Sequence, residues 1–303
     1  MDEYMDKILN YLPIEFADDE SNVFVKYLEE TYLENVRNQK YQFAFIAFHM
    51  LYMTFCYKTK WFLKTQNNKL INQTLQKYIT THKNAFFNVL FDLSRFKEKE
   101  TFESLLNSLR GFNSNDVDNC KIHVTKRNHC SHDSGKIEYK ENDIDYFISD
   151  EIKYVEKIQN KIQPDLLNFF ESFLNDNWNK SIISGDIEDN LRKNNISVKD
   201  LELIVNINLS LFKKRSDSEK IIFQKILYLI FVSAVQKYIE TEKNLFLEKL
   251  PMFMFELKNE VTVKRNGEEK IISIQEIIEE NLIPIISNLT DLERKEAEKI
   301  LNL

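Results

Sequence analysis

The sequence predicts an all-α protein, on grounds of composition and periodicity. Glycine and proline are rare, with four of each in 303 residues. Sheets built from many strands need frequent tight turns, which these two residues usually form. Long segments instead repeat apolar side chains at helical spacing. The expected architecture is an N-terminal helical bundle followed by a second helical unit that contains one small β-hairpin, at about residues 260–273.

The N-terminal helices follow one another closely in the sequence. Ser21 is expected to cap a helix that contains Val25, Leu28 and Tyr32. Further helices are predicted at Gln39–Lys64, Lys69–Thr80, Ala85–Phe96, Thr101–Leu109 and Ile144–Trp178. Gly111 is expected to end the helix at Thr101–Leu109. Pro164 is expected to kink or interrupt the helix at Ile144–Trp178. Residues 112–118 are rich in Asn and Asp and are expected to form a connection.

One segment is apolar around nearly the whole helix. Phe43–Tyr57 is shorter than the roughly 20 residues that cross a bilayer, and His49 lies in its middle. A helix that is hydrophobic on all sides is more typical of the centre of a bundle. We therefore expect a core helix, with His49 as a core histidine whose hydrogen bonds are satisfied, and no membrane partner.

The C-terminal part is predicted as a separate unit. The pattern breaks around Ser181–Asp186, which gives expected domains at 1–180 and 187–303. Ser197 with Asp200 resembles a helix start, Glu219–Glu240 is an apolar helix, and Thr290 with Glu293 forms a capping box. Asn266-Gly267 is the strongest short hairpin signal and predicts strands at Val261–Lys264 and Glu269–Ile272.

Charge and cysteine content narrow the function classes. The formal net charge of −7 excludes a surface that attracts nucleic acid as a whole, so any such contact needs a local basic patch. Three cysteines do not make a disulfide framework. The acidic N-terminus lacks the features of a signal peptide. We expect a cytoplasmic protein.

The candidate chemistry is concentrated in one short segment. Three of the five histidines and two of the three cysteines fall between residues 120 and 132. They are Cys120, His123, His129, Cys130 and His132, and they are accompanied by Lys121, Lys126 and Arg127. The acidic chain thus carries one basic, imidazole-rich island.

Within this island the order Arg127, Asn128, three residues and His132 resembles the R-N-x-x-x-H form of the motif of the HEPN superfamily. These are helical-bundle domains, many of them ribonucleases of toxin–antitoxin, abortive-infection and CRISPR-associated antiviral defence systems. The resemblance covers about residues 21–178 and departs from the usual pattern at Ser131, where a small residue such as Ala is common. It implies a metal-independent endoribonuclease with no cofactor.

The residue types suit that reaction. An imidazole that titrates near neutral pH can act as acid or base towards a 2′-hydroxyl, which is the expected role of His132. The guanidinium of Arg127 can stabilise charge on a phosphate. Asn128 is expected to position either group, and Lys121 and Lys126 to hold the RNA backbone.

Helix geometry raises a difficulty for this motif. Positions five apart on a regular helix differ by about 140°, so Arg127 and His132 do not share a face. Either Arg127 reaches around the helix, or the segment starts at a helix end with Thr125 as the expected cap. The resemblance also implies a homodimer in which two motifs form a composite site, and a possible antitoxin or defence-system partner.

Two alternatives stay open from the sequence. One is a zinc site, in which Cys120, His123, His129, Cys130 and His132 supply nitrogen and sulfur ligands, although their spacing matches no regular zinc motif. The other is a non-catalytic helical module that binds RNA or a protein, such as the partner of a toxin or nuclease.

Overall fold

A computed structural model gives the fold of the chain. It describes residues 2–82, 87–132, 139–177, 184–205, 261–265, 268–272 and 295. The elements in chain order are α1 (Asp2–Leu9), α2 (Asp19–Arg37), α3 (Tyr41–Thr65), α4 (Lys69–Thr81), a 3-10 helix (Leu90–Arg95), α5 (Glu98–Ser108), α6 (Ser114–His132), α7 (Glu141–Asn177), α8 (Ser184–Lys193), α9 (Val198–Val205), β1 (Val261–Arg265) and β2 (Glu268–Ile272). The all-α prediction is confirmed. In the part of the chain described, no helix combines the length and apolarity that a membrane crossing requires.

The chain groups into two compact units. The first contains Met1–Asp165 together with Arg192–Lys199, and the second contains Leu166–Leu191 and Asp200–Leu303. The return of residues 192–199 to the first unit is carried by backbone hydrogen bonds, from Ile14 N to Ile196 O at 3.0 Å and from Lys199 N to Asn10 O at 3.0 Å. The domain boundary expected at residues 181–186 stays a prediction.

Helix α3 is the core of the first unit, as its composition predicts. Most of its residues are buried, including Phe45, Phe48 and Phe55, which are fully inaccessible to solvent. Burying one such side chain contributes roughly 1.5–3 kcal/mol. Helices α2, α4, α5 and α6 and the 3-10 helix all contact α3, and several polar side chains of α3, His49 among them, are buried.

The N-terminus of α2 differs from the prediction. Asp18, and not Ser21, occupies the N-cap position, and its Oδ1 accepts a hydrogen bond from Ser21 N at 2.8 Å. The hydroxyl of Ser21 donates to the same carboxylate at 2.6 Å. Asp and Ser are comparably good caps, and the earlier of the two starts the helix.

The predicted helix at Ala85–Phe96 is wrong where the structure describes it. Residues 87–89 are not helical, and a 3-10 helix covers Leu90–Arg95. The Asp92 carboxylate accepts from the backbone N–H groups of Asn88 at 2.7 Å and Val89 at 3.0 Å. This local bonding holds Val89 extended and replaces the hydrogen bonds that an α-helix would make.

The predicted connection at residues 112–118 is too long, because α6 begins at Ser114. Asn113 and Asp116 bond reciprocally, each backbone N–H donating to the other side chain at 3.1 Å. This is the arrangement of a capping box, built here from Asn and Asp. Gly111 precedes it with φ of +91°, a conformation that favours glycine.

Helix α7 runs without a break from Glu141 to Asn177 and contains Pro164. The expected long helix is therefore present, and Pro164 does not interrupt it. Its buried side chains include Ile144, Ile148, Val155, Ile158 and Ile162, whose spacings of four, seven, three and four residues place them on one face of the helix.

The predicted hairpin is confirmed. Strands β1 and β2 pair antiparallel, with Arg265 opposite Glu268 and Val261 opposite Ile272. The register leaves Asn266-Gly267 as the two-residue connection. The predicted helix at Glu219–Glu240 and the capping box at Thr290 and Glu293 lie outside the described residues.

Candidate functional site

Every residue of the predicted site lies on one helix. Helix α6 runs continuously from Ser114 to His132, so the expected start at Thr125 is wrong. The Thr125 hydroxyl donates to Lys121 O at 3.3 Å, as a hydroxyl in a helix interior does. Arg127 and His132 are therefore separated by about 140° around a single helix.

The guanidinium of Arg127 is half-buried and paired. Its Nη2 forms an ion pair with Oε2 of Glu98, and each of the two side chains is 23% exposed. Glu98 is the first residue of α5. Asn128, next to Arg127, is also half-buried. The arginine of the motif is thus held at the rim of the bundle, with part of the ion pair open to solvent.

Behind this ion pair lies a fully buried histidine. Nε2 of His49 lies 3.5 Å from Oε2 of Glu98, the same oxygen that faces Arg127. Nδ1 of His49 lies 2.5 Å from Oε1 of Glu151 on α7. The four side chains form a charged chain across four helices, in the order Arg127, Glu98, His49 and Glu151. We call these four residues the inner cluster.

The electrostatics of the inner cluster favour full ionisation of its middle members. Burial lowers the pKa of His49, but the carboxylates of Glu151 and Glu98 together raise it to about 9. Burial raises the pKa of Glu98, whereas its ion pairs with His49 and Arg127 lower it to about 2. At neutral pH the imidazolium of His49 and the carboxylate of Glu98 carry opposite charges, and this pairing offsets part of the cost of burying them.

A second histidine cluster lies beside the first. Nε2 of His123 lies 3.0 Å from Oδ2 of Asp150, and Lys126 Nζ donates to the same oxygen at 3.3 Å. The hydrogen bond with His123 is the main cause that lowers the pKa of Asp150 to about 2. The Lys126 ammonium also lies 4.8 Å from the ring centroid of Phe147. We call His123, Asp150 and Lys126 the outer cluster.

Tyr52 lies between the two clusters. Its ring centroid is 5.9 Å from that of His49 and 5.7 Å from that of His123. Its hydroxyl donates to Sγ of Cys120 at 3.6 Å. Burial raises the pKa of the Cys120 thiol to about 12, so Cys120 is a protonated core residue and not a nucleophile.

The other island residues point in different directions. Lys121 Nζ lies 3.3 Å from Oε2 of Glu103 in an ion pair at the surface, His129 is exposed and Cys130 is buried. The backbone of His132 belongs to α6, and its side chain is outside the described residues. Cys56, Cys120 and Cys130 are all buried thiols.

The zinc alternative does not match the geometry of α6. Positions ten apart on a helix, such as Cys120 and Cys130, are separated by about 15 Å along the axis. Among the side chains that the structure describes, no three of the types His, Cys, Asp or Glu gather as a metal site.

A cavity lies away from both clusters, between α4 and α5. Its volume is about 500 Å³, and its lining includes Tyr78, His82, Phe96 and Glu100. Of the residues predicted to act on RNA, the four whose side chains the structure describes, Lys121, Lys126, Arg127 and Asn128, do not line it.

Sequence reasoning missed Glu98, Asp150 and Glu151, although a signal for two of them was present. Glu151 falls three residues after Ile148 and four before Val155, on the buried stripe of α7. Glu98 similarly lies four residues before the buried Phe102 of α5. A charged residue at a core position needs a partner of opposite charge. His49 was assigned correctly to the core, but the expectation that its hydrogen bonds are satisfied is wrong for Nε2, and its carboxylate partners were not identified.

Comparison with known proteins gives no relative: no family model, no curated protein and no solved structure matches this chain. The fold and the two clusters define a helical-bundle protein with a charged, histidine-containing interior.

Proposed function

We propose that this protein is a metal-independent endoribonuclease of HEPN type that acts at the Arg127–His132 segment. The observation that carries the proposal is the inner cluster, which brings Arg127 to the bundle surface on the same helix as His132. Buried charges lower stability unless they are paired, and such groups concentrate at functional sites. The R-N-x-x-x-H order supplies the reaction class.

In the proposed reaction His132 takes the proton of a 2′-hydroxyl. The 2′-oxygen attacks the adjacent phosphorus, and the bond from phosphorus to the 5′-oxygen breaks. The products are a 2′,3′-cyclic phosphate and a 5′-hydroxyl, which receives a proton from a general acid. Arg127 stabilises the charge on the phosphate oxygens, and Asn128 positions the reacting groups.

The second imidazole that this reaction needs is supplied by a second copy of the chain. One His132 acts as base and the other as acid. Arg127 and His132 of the same helix, which lie about 140° apart, then do not have to reach the same phosphate. Lys121 and Lys126 contact the RNA backbone beside the motif. A setting in bacterial defence or growth arrest, with an antitoxin or another partner, belongs to the same proposal.

The test is cleavage of a mixed RNA pool in EDTA by the wild type and by the variants His132→Ala and Arg127→Ala. We expect cleavage that survives the chelator and falls at least about 100-fold in both variants, since a general base and a phosphate-stabilising group each contribute on this order. His82→Ala is the matched control, because it removes an exposed imidazole at the end of α4.

Two other outcomes would replace the proposal. Activity that disappears only in EDTA would indicate a metal enzyme. A wild type that binds RNA or a protein without cleaving would indicate the non-catalytic module. The ion pair between Arg127 and Glu98 is the observation that favours this second candidate, because an arginine whose charge is already matched can be purely structural.

A further inference from the structure

We propose that Glu98 is a positioning residue that sets the orientation of the Arg127 guanidinium, and that the buried pair of His49 and Glu151 holds Glu98 in place. This inference rests on the proposed function and extends it to three residues outside the motif.

Two basic side chains contact Glu98 from different helices. Arg127 approaches its Oε2 from α6, and His49 approaches the same oxygen from α3. A carboxylate held between two cations from different helices has little freedom to rotate. A terminal carboxylate at a helix start would otherwise be among the more mobile side chains of a bundle.

The ion pair with Glu98 uses only part of the Arg127 guanidinium. A guanidinium carries five N–H donors in a planar fork, and the contact with Glu98 uses Nη2. Among the described residues this guanidinium forms no hydrogen bond and no second ion pair, and 23% of the side chain is exposed. One edge of the fork is fixed to the protein, and the remaining donors are available to a phosphate.

A buried pair of side chains lies behind Glu98. His49 and Glu151 are both completely buried, and 2.5 Å separates His49 Nδ1 from Glu151 Oε1. Glu151 Oε2, His49 Nε2 and Glu98 Oε2 have no hydrogen-bond partner among the described residues, so the ion pairs themselves compensate the burial of these atoms. A surface ion pair of Arg127 and Glu98 alone would need none of this buried charge.

Glu98→Gln is the informative variant because it keeps the side-chain shape and removes the charge. Arg127 then loses its fixed edge but keeps its own charge. A misplacement of about 1 Å can lower a rate on the order of 100-fold, so we expect kcat to fall about 10- to 100-fold with KM changed less than about threefold. Glu98→Asp keeps the charge at a shorter reach and should retain an intermediate kcat.

A second measurement reads the position of Arg127 without any cleavage. The ¹⁵N signal of Arg127 Nε, assigned by its absence in Arg127→Lys, reports side-chain order. We expect an ordered signal in the wild type and an order parameter below about 0.6, the range of flexible groups, in Glu98→Gln. Glu156→Gln is the control for both measurements, because it removes an exposed ion pair with Lys7 in the same unit, and neither kcat nor the Arg127 signal should change.

The outcomes separate this inference from the proposed function. Loss of Arg127 order in Glu98→Gln, in a protein whose wild type does not cleave RNA, would keep Glu98 as the positioning residue and remove the nuclease. Unchanged Arg127 order would overturn the inference whether or not the protein cleaves. Loss of order with full kcat in an active enzyme would overturn it as well. If Glu98→Gln does not fold, the same comparisons are made with Glu98→Asp.

Discussion

Asp150 and Glu151 are adjacent residues of α7, yet their carboxylates serve clusters with different access to solvent. Glu151 is fully buried against His49. Asp150 is 26% exposed and faces both His123 and Lys126. Successive residues on a helix are turned by about 100°, which directs one acid into the bundle and its neighbour towards the surface.

An ion pair of a histidine with a carboxylate can stabilise the fold by different amounts at two neighbouring positions. In the outer cluster, water and Lys126 share the charge of Asp150, so the loss of one partner is compensated in part. In the inner cluster the fully buried His49 and Glu151 depend on each other, and solvent does not reach either of them to replace a missing partner. We therefore expect the loss of Glu151 to lower the free energy of unfolding more than the loss of Asp150 does.

The largest expected effect comes from substituting the two acids one at a time. Glu151→Gln removes the main partner of a buried imidazolium and should lower the free energy of unfolding by about 3 kcal/mol. Asp150→Asn should lower it by about 1 kcal/mol. Urea denaturation of the three proteins, monitored by circular dichroism, measures both values. Equal losses would contradict the distinction between the clusters.

The second effect is a dependence on pH that belongs to the inner cluster. The pKa of His49 is raised to about 9 from its ordinary value of 6.5. A raised pKa in the folded state stabilises fully below pH 6.5, and this stabilisation is lost as the pH rises through 9. Because Glu151→Gln removes the chief cause of the shift, the stability gap between it and the wild type should narrow between pH 6.5 and 9.5. A gap that stays constant over this range, measured by urea denaturation at each pH, would show that His49 is not charged.

The smallest effect on stability is expected at the surface pair of Lys121 and Glu103. Lys121→Gln should change the free energy of unfolding by less than about 0.5 kcal/mol, because exposed ion pairs contribute little. If Lys121 contacts RNA, the slope of log affinity against log salt should fall by about 0.7 for one lost phosphate contact on a single strand. Titration of a fluorescent RNA oligonucleotide at several salt concentrations measures the slope, and an unchanged slope would exclude Lys121 from the RNA contact.

Much of the fold could be predicted from the sequence because its signals are local. The apolar run of α3 and the Asn266-Gly267 turn each depend on neighbouring residues, and both predictions hold. The errors are also local. Asp18 takes the cap assigned to Ser21, and the Asp92 carboxylate diverts the backbone before the 3-10 helix.

The candidate site was predictable only as far as the motif. Arg127 could be found from its spacing to His132, but its partner Glu98 lies on another helix, and Glu151 is 102 residues away from His49. Contacts at such separation leave no local pattern in one sequence. The usable signal is indirect, namely a charged residue on an otherwise apolar stripe, and it identifies a group that needs a partner without identifying the partner.

The three buried thiols make it possible to measure how often the helical bundle opens. Cys56 and Cys120 are completely inaccessible in the folded chain and Cys130 nearly so, and burial raises the pKa of Cys56 and Cys120. An alkylating reagent can reach them only when the bundle opens, because they are buried. Opening also lets the thiol ionise to the thiolate, which is the reacting species. The rate of alkylation therefore reports how often the bundle opens, and each cysteine reports the local opening of the helix that carries it.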